Sequence, residues 1–116
     1  MKNLSMHFNE SEFICPCCGK YLIDNSLIYL LEAIREHFNK PVIINSGYRC
    51  ELHNKNIGGA IDSKHLYGQA ADIVVLGINA IDVYKYVDQI NKKGGLGKYD
   101  GYTHVDVCID PQNRRF

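Results

Sequence analysis

"SKHLYGQAADI", residues 63–73, is the stretch on which the reading of this chain turns. Its last residues run on into "AADIVVL", residues 70–76, a β-branched and almost wholly apolar segment that reads as a central strand. Asp72 lies inside that segment. A carboxylate buried in a strand is costly unless it is paired or coordinates a cation. His65 comes seven positions earlier, and Gly68, which adopts positive φ without penalty, lets the intervening loop fold back sharply. The small residues Ala70 and Ala71 leave room for histidine and aspartate to converge.

Working outward, Leu27, Leu30, Leu31, Ile34 and Phe38 recur at helical spacing, with Asp24, Asn25 or Ser26 able to cap the start and Pro41 beyond the end. Val42-Ile43-Ile44 reads as a short strand delivered into the turn Ser46-Gly47. Residues 51–57 form one or two helical turns closed by Gly58-Gly59. A second long helix is expected from Asn79 to Lys92, with Ala80, Val83, Tyr84, Val87 and Ile90 or Asn91 giving its period. Asn79 is its N-cap, and Gly94-Gly95-Leu96-Gly97 breaks it. "YTHVDVCI", residues 102–109, alternates well enough for a last, half-buried strand. The order predicts an α+β fold: a small antiparallel sheet with helices packed against it, in one domain over residues 1–116.

Thirteen basic and thirteen acidic side chains give zero formal charge, which argues against a nucleic-acid partner. The doublets Lys92-Lys93 and Arg114-Arg115 read as solvated surface. No apolar run approaches a membrane span, and the N-terminus lacks the apolar core of a secretory signal. Synthesis in the cytoplasm is therefore expected, with any action outside the cell needing another route. Oligomeric state is left open.

Five cysteines, an odd number, argue against a disulfide scaffold. Cys15, Cys17 and Cys18 crowd into a segment spanning residues 13–20, whereas Cys50 and Cys108 stand apart. Reduced, packed thiols are the first reading. The Cys15-x-x-Cys18 spacing can also bite a metal, with Cys50 as a third ligand and no fourth apparent, or Cys50 can join a disulfide.

His65, Asp72 and His104 stand out as metal-capable. A catalytic zinc site keeps three protein ligands and one position for water. His104 falls in the last strand, where a neighbouring strand can set it beside Asp72. The competing interpretation is a pair of hydrogen-bonded structural histidines and an aspartate salt-bridged to an arginine.

Written out, Ser63-x-His65-x-x-Gly68-x-Ala70-x-Asp72 followed by His104-Val105-Asp106 resembles the signature of the LAS-type zinc peptidases. These include D-Ala-D-Ala carboxypeptidases and dipeptidases, L-alanyl-D-glutamate endopeptidases of phage lysis, and the zinc-binding fold of hedgehog domains. "INSGYRC", residues 44–50, is similar to a segment of the carboxypeptidase branch, and "FICPCCG" to a prelude in small phage and prophage members. The resemblance implies one catalytic zinc ion held by His65, Asp72 and His104, with Arg49 steadying the substrate carbonyl or oxyanion. Ser63 and Gly68 match positions that shape the ligand loop, and His53 and Asn54 carry no assigned chemistry.

The chain departs from several relatives by having Gly101 where they have a glutamate, three residues before the last histidine. Asp106, on the same strand face as His104, then stands as general base or as partner to a ligand, with Asp100 as the other nearby carboxylate. The implied activity is hydrolysis of peptide bonds in bacterial peptidoglycan, as a carboxypeptidase or an endopeptidase. The wall would be reached on lysis or from a virion. A zinc-bearing binding module without catalysis, and a structural or virion protein stabilised by metal at its cysteines, are the other two readings.

Overall fold

Asp24 opens the first helix by accepting the backbone N–H of Ser26 at 2.8 Å. From there α1 (Asn25–Phe38) runs to Asn39, whose left-handed backbone (φ 52°) ends it. The computed structural model describes residues 2–109 and 114–116, so residues 1 and 110–113 of the expected 1–116 domain lie outside the described residues. Leu27, Ile28, Leu31 and Ile34 form the buried stripe, and Leu30 and Phe38 pack at its margin. Burying each such side chain contributes about 1.5–3 kcal/mol relative to exposure.

The chain continues through β1 (Val42–Ser46), a short α2 (Glu51–Asn56) and a 3-10 turn at Lys64–Tyr67 into β2 (Ala70–Val75). Then come α3 (Ala80–Ile90), β3 (Gly95–Tyr99) and β4 (Tyr102–Asp106). The four strands make one antiparallel sheet in the order β1-β2-β4-β3. The α+β architecture expected from the sequence is the one observed. Ala71, Ile73 and Val75 of β2 join Leu96, Val105 and the two long helices in the core. Because strand side chains alternate between faces, Asp72 and His104 point to the opposite face. Phe8 and Phe13 add the N-terminal arm to the same core. Among the described residues no helix is long and apolar enough to cross a membrane.

Three local expectations are corrected. The 94–97 glycine run is more than a helix breaker, since Gly95–Tyr99 forms the edge strand β3, hydrogen-bonded to β4 from Gly95↔Asp106 to Tyr99↔Tyr102. Its glycines are there because neighbours come close: a Cβ on Gly95 would lie 2.3 Å from Asp106 Oδ2. The helix before it ends at Ile90 with Asn91 as its C-cap, and Asn79 caps its start without a side-chain hydrogen bond. The final strand ends at Asp106, and four of its five residues are buried, because core covers one face while Arg114 and Phe116 pack on Asp106 and His104 of the other.

Gly95→Ala should destabilise the protein by about 1–3 kcal/mol, the usual penalty for forcing an atom into filled space. Urea unfolding measures this. A loss within error of zero would show that Asp106 yields without cost.

Candidate metal centre

Antiparallel pairing puts Asp72 of β2 directly opposite His104 of β4. The second histidine arrives from the 3-10 turn. There Ser63 accepts the His65 N–H at 3.3 Å, and Gly68 ends the turn at φ 69°. A Cβ on Gly68 would lie 2.5 Å from the Leu22 backbone, so both conformation and space demand glycine there. One donor atom each from His65, Asp72 and His104 then lies within 4.8 Å of the other two.

The proton inventory of the two rings decides what this cluster can hold. His65 Nδ1 is 2.7 Å from the Gly47 carbonyl oxygen, which only accepts, so that nitrogen carries the proton. His104 Nε2 is 2.8 Å from Asp106 Oδ2 and donates to it likewise. In the neutral rings the remaining nitrogens, His65 Nε2 and His104 Nδ1, carry lone pairs facing Asp72 Oδ1 at 3.3 and 3.1 Å. Two lone pairs aimed at one carboxylate oxygen repel unless positive charge, a proton or a metal ion, lies between. Two imidazoles and a carboxylate also suit zinc, with a fourth position free. The residues fit the ion.

Around this centre Arg49 donates from Nη2 to Asp72 Oδ2 at 3.0 Å, from Nε to Ser46 Oγ at 3.0 Å and from Nη1 to Asn54 Oδ1 at 3.3 Å. Its own N–H donates to the His65 carbonyl, tying the two segments together. Asn54, given no chemistry from sequence, is buried and also holds the Ala60 carbonyl at 2.8 Å. Asp106 is fully buried and accepts from Gly95 N–H, Cys108 N–H and Arg114, as well as from His104. Arg114 Nη2 reaches its Oδ1 at 2.5 Å.

The Arg114-Arg115 doublet therefore departs from the solvated surface expected of it. Arg115 binds Asp88 and the carbonyls of Gly94 and Asn91. Phe116 sets its ring 5.1 Å from that of His104. Nothing in the local sequence marks these last residues as part of the site, because they reach it through β3-edge hydrogen bonds such as Phe116 N–H to Leu96 O.

A cleft of about 660 Å³ opens over the cluster, lined also by residues 57–60, Asp62, Ser63, Lys64, Tyr99 and Tyr102. Its size matches sites for small ligands. Asp100, on the β3–β4 turn, is exposed and does not line it.

The carboxyl groups feel this environment strongly. Burial pushes Asp72 upward, but His104 and His65 outweigh it and hold the group well below the usual carboxylate range. Asp106 is likewise raised by burial but brought down to about 2 by His104 and Arg114. Burial lowers His104, and Asp106 and Asp72 more than reverse that, leaving it raised.

These shifts set a pH window for the metal-free chain. A raised histidine stabilises fully below its ordinary value of 6.5, and this is lost as pH climbs through the folded value. A depressed aspartate stabilises fully above its ordinary 3.8, and this is lost as pH falls toward about 2. Both contributions are complete between pH 3.8 and 6.5, and chelator-treated protein should lose melting temperature as pH falls below 3.8. Thermal melts across the acid range check this, and a melting temperature unchanged below pH 3.8 would contradict it.

Comparison with known proteins bears on the chain as a whole. Residues 6–106 match the Peptidase M15 family. A zinc D-Ala-D-Ala carboxypeptidase of Streptomyces albus G is 42% identical over 52 residues, covering 42% of this chain and 20% of that protein. The chain thus aligns with about a fifth of that relative's length. With the family match spanning most of the sequence and the fold and donor set in keeping with it, the chain belongs to the Peptidase M15 family.

Proposed function

We propose that this chain is a zinc-dependent peptidase that hydrolyses peptide bonds in the stem peptides of bacterial peptidoglycan. The observation that carries the reading is the convergence of two imidazole lone pairs on the Asp72 carboxylate at the floor of a cleft, with Arg49 beside them. The relation to a D-Ala-D-Ala carboxypeptidase supports the substrate class and leaves two bonds in play, a terminal D-Ala-D-Ala bond and an internal L-Ala-D-Glu bond. The wall would be met on cell lysis or from a virion.

His65, Asp72 and His104 would hold the ion. When bound, zinc supplies Lewis acidity, activating a water at neutral pH and polarising a carbonyl oxygen. The Gly47 carbonyl and the Asp106 carboxylate fix the tautomers and aim the rings, as partners behind metal-bound histidines do. Asp106 acts here as a positioning residue, since all its contacts are taken and it is fully buried. Arg49 keeps a guanidinium in the cleft wall, fixed positive charge where a tetrahedral intermediate becomes negative. Asp72 and Asp106 are committed, so among the described residues Asp62 is the carboxylate left on the cleft wall to move a proton between water and leaving amine. Asp100, outside the cleft lining, does not take that role.

Mass spectrometry of purified muropeptides before and after incubation tests the proposal. Loss of a terminal alanine or a cut within the stem is expected. Chelation should abolish it and zinc restore it, whereas zinc-loaded protein that leaves every muropeptide intact would favour a binding module of the same fold.

Arg49→Ala should lower kcat by roughly 10²–10³, as removal of an oxyanion donor does. Asp62→Asn should lower kcat by roughly 10²–10⁴ with zinc content unchanged. Full turnover in the Asp62 variant would move the proton transfer to another group.

A further inference from the structure

A second cluster of metal-type donors lies outside the cleft. The Sγ atoms of Cys15, Cys18 and Cys50 all lie within 4.8 Å of one another. The thiols are free, as the first reading of the sequence had it, but only partly packed: Cys15 is buried, Cys50 is half-buried, and Cys17 and Cys18 are exposed. Such a set is open to an ion on one side and walled by protein on the other.

The backbone around the sulfurs is arranged for thiolates. Cys15-Pro16-Cys17-Cys18-Gly19-Lys20 closes into a tight loop, with Cys15 N–H donating to Lys20 O at 2.8 Å and Gly19 N–H to Cys15 O at 2.9 Å. Gly19 sits at φ 73°, in the left-handed region that favours glycine. Cys50 N–H donates to Cys15 Sγ, and His53 N–H to Cys50 Sγ, both at 3.4 Å. The Lys20 N–H serves Cys18 in the same way. Hydrogen bonds that favour the charged form of a thiol prepare it as a ligand.

A disulfide explains this geometry less well. It would join two sulfurs and leave the third thiol beside them, with backbone donors at all three unexplained. Two cysteines at C-x-x-C spacing plus a distant third are the ligand pattern of structural zinc, which takes a fourth donor. The Cys17 thiol, in hydrogen-bonding contact with Cys50, stands on the open side.

We propose that Cys15, Cys18 and Cys50 hold a structural zinc ion, distinct from the centre at His65, Asp72 and His104. The ion would staple the N-terminal arm to the segment that builds the cleft. Tyr48 N–H already donates to Phe13 O at 3.1 Å, and Gly47 packs so closely on Phe13 that a Cβ would lie 2.8 Å from its Cα. Gly47 aims His65 and Arg49 precedes Cys50, so the staple fixes both.

The test counts metal in full-length protein purified under reducing conditions without chelator. A His65→Ala/His104→Ala variant removes the first centre, so its metal reads the cysteines alone, whatever becomes of the peptidase reading. It should keep about one zinc per chain, released on titrating the thiols with a mercurial, and Cys18→Ser in that background should bring zinc below about 0.1. In otherwise unchanged protein, cobalt substitution should give a thiolate charge-transfer band that Cys18→Ser abolishes, a readout that survives if the double variant does not fold. Titration of all the thiols in metal-free form, a mass lower by two hydrogens, or a cobalt spectrum without the thiolate band would each overturn the proposal.

Discussion

The pairing of Asp72 with His104 across β2 and β4 is the constraint from which the rest of this molecule follows. Antiparallel register places a carboxylate opposite an imidazole on the face turned away from the helices. Neither group is stable there alone. Burial works against the charge on Asp72 and against protonation of His104, and each answers the other's cost only in part. The loop that brings His65, the arginine on Asp72 Oδ2 and the acceptors behind both rings are all ways of completing that pair.

Completion depends on backbones that come unusually close. Gly68 lies against the backbone of Leu22, Gly47 against Phe13 and Gly95 against the Asp106 carboxylate. Each contact places an element that carries or aims one of the clustered donors: the 3-10 turn with His65, the carbonyl that fixes its tautomer, and the carboxylate that fixes that of His104. A side chain at any of these would push its ligand away from the common point. The tolerance of such a centre is small, since a misplacement of one ångström changes whether three donors can share an ion.

This explains what could be read from the sequence. Amphipathic spacing exposed α1 and α3, the apolar run exposed β2, residue type and placement brought out His65, Asp72 and His104, and the resemblance to the zinc peptidases added Arg49. Strand β3 escaped because its glycines answer to neighbours distant in sequence, and no β-branched pattern betrays them. The Asp100-Gly101 pair between Tyr99 and Tyr102 was the available sign of a tight strand connection there. Arg114 and Phe116 escaped for a deeper reason. Their contacts with Asp106 and His104 are made across the sheet, and a basic doublet on a surface has the same local pattern. Cys15, Cys18 and Cys50 were singled out as a metal-capable set, but their separation of thirty-odd positions hid how closely the fold gathers them.

The charge inventory of the cleft bears on what it can attract. Its lining carries Arg49, Lys64 and Arg114 against Asp62, Asp72 and Asp106, three of each sign. Arg49 is bonded to Asp72 and Arg114 to Asp106, so the acidic groups nearest the histidines are already balanced. With neutral imidazoles, a divalent ion placed among the donors would keep its charge uncompensated by the protein. A bound cation is then the largest local charge and sets the logic of the whole site. Such a cleft favours a ligand that brings a carboxylate or develops negative charge on oxygen, as the proposed hydrolysis of a peptide near its carboxyl end would require. An extra unpaired carboxylate on the floor would bind an ion more tightly but would cancel the field that the ion sets up in the cleft. The two arginine pairs avoid that, holding the acidic groups in place so that the charge of a bound ion would stay available to a ligand in the cleft.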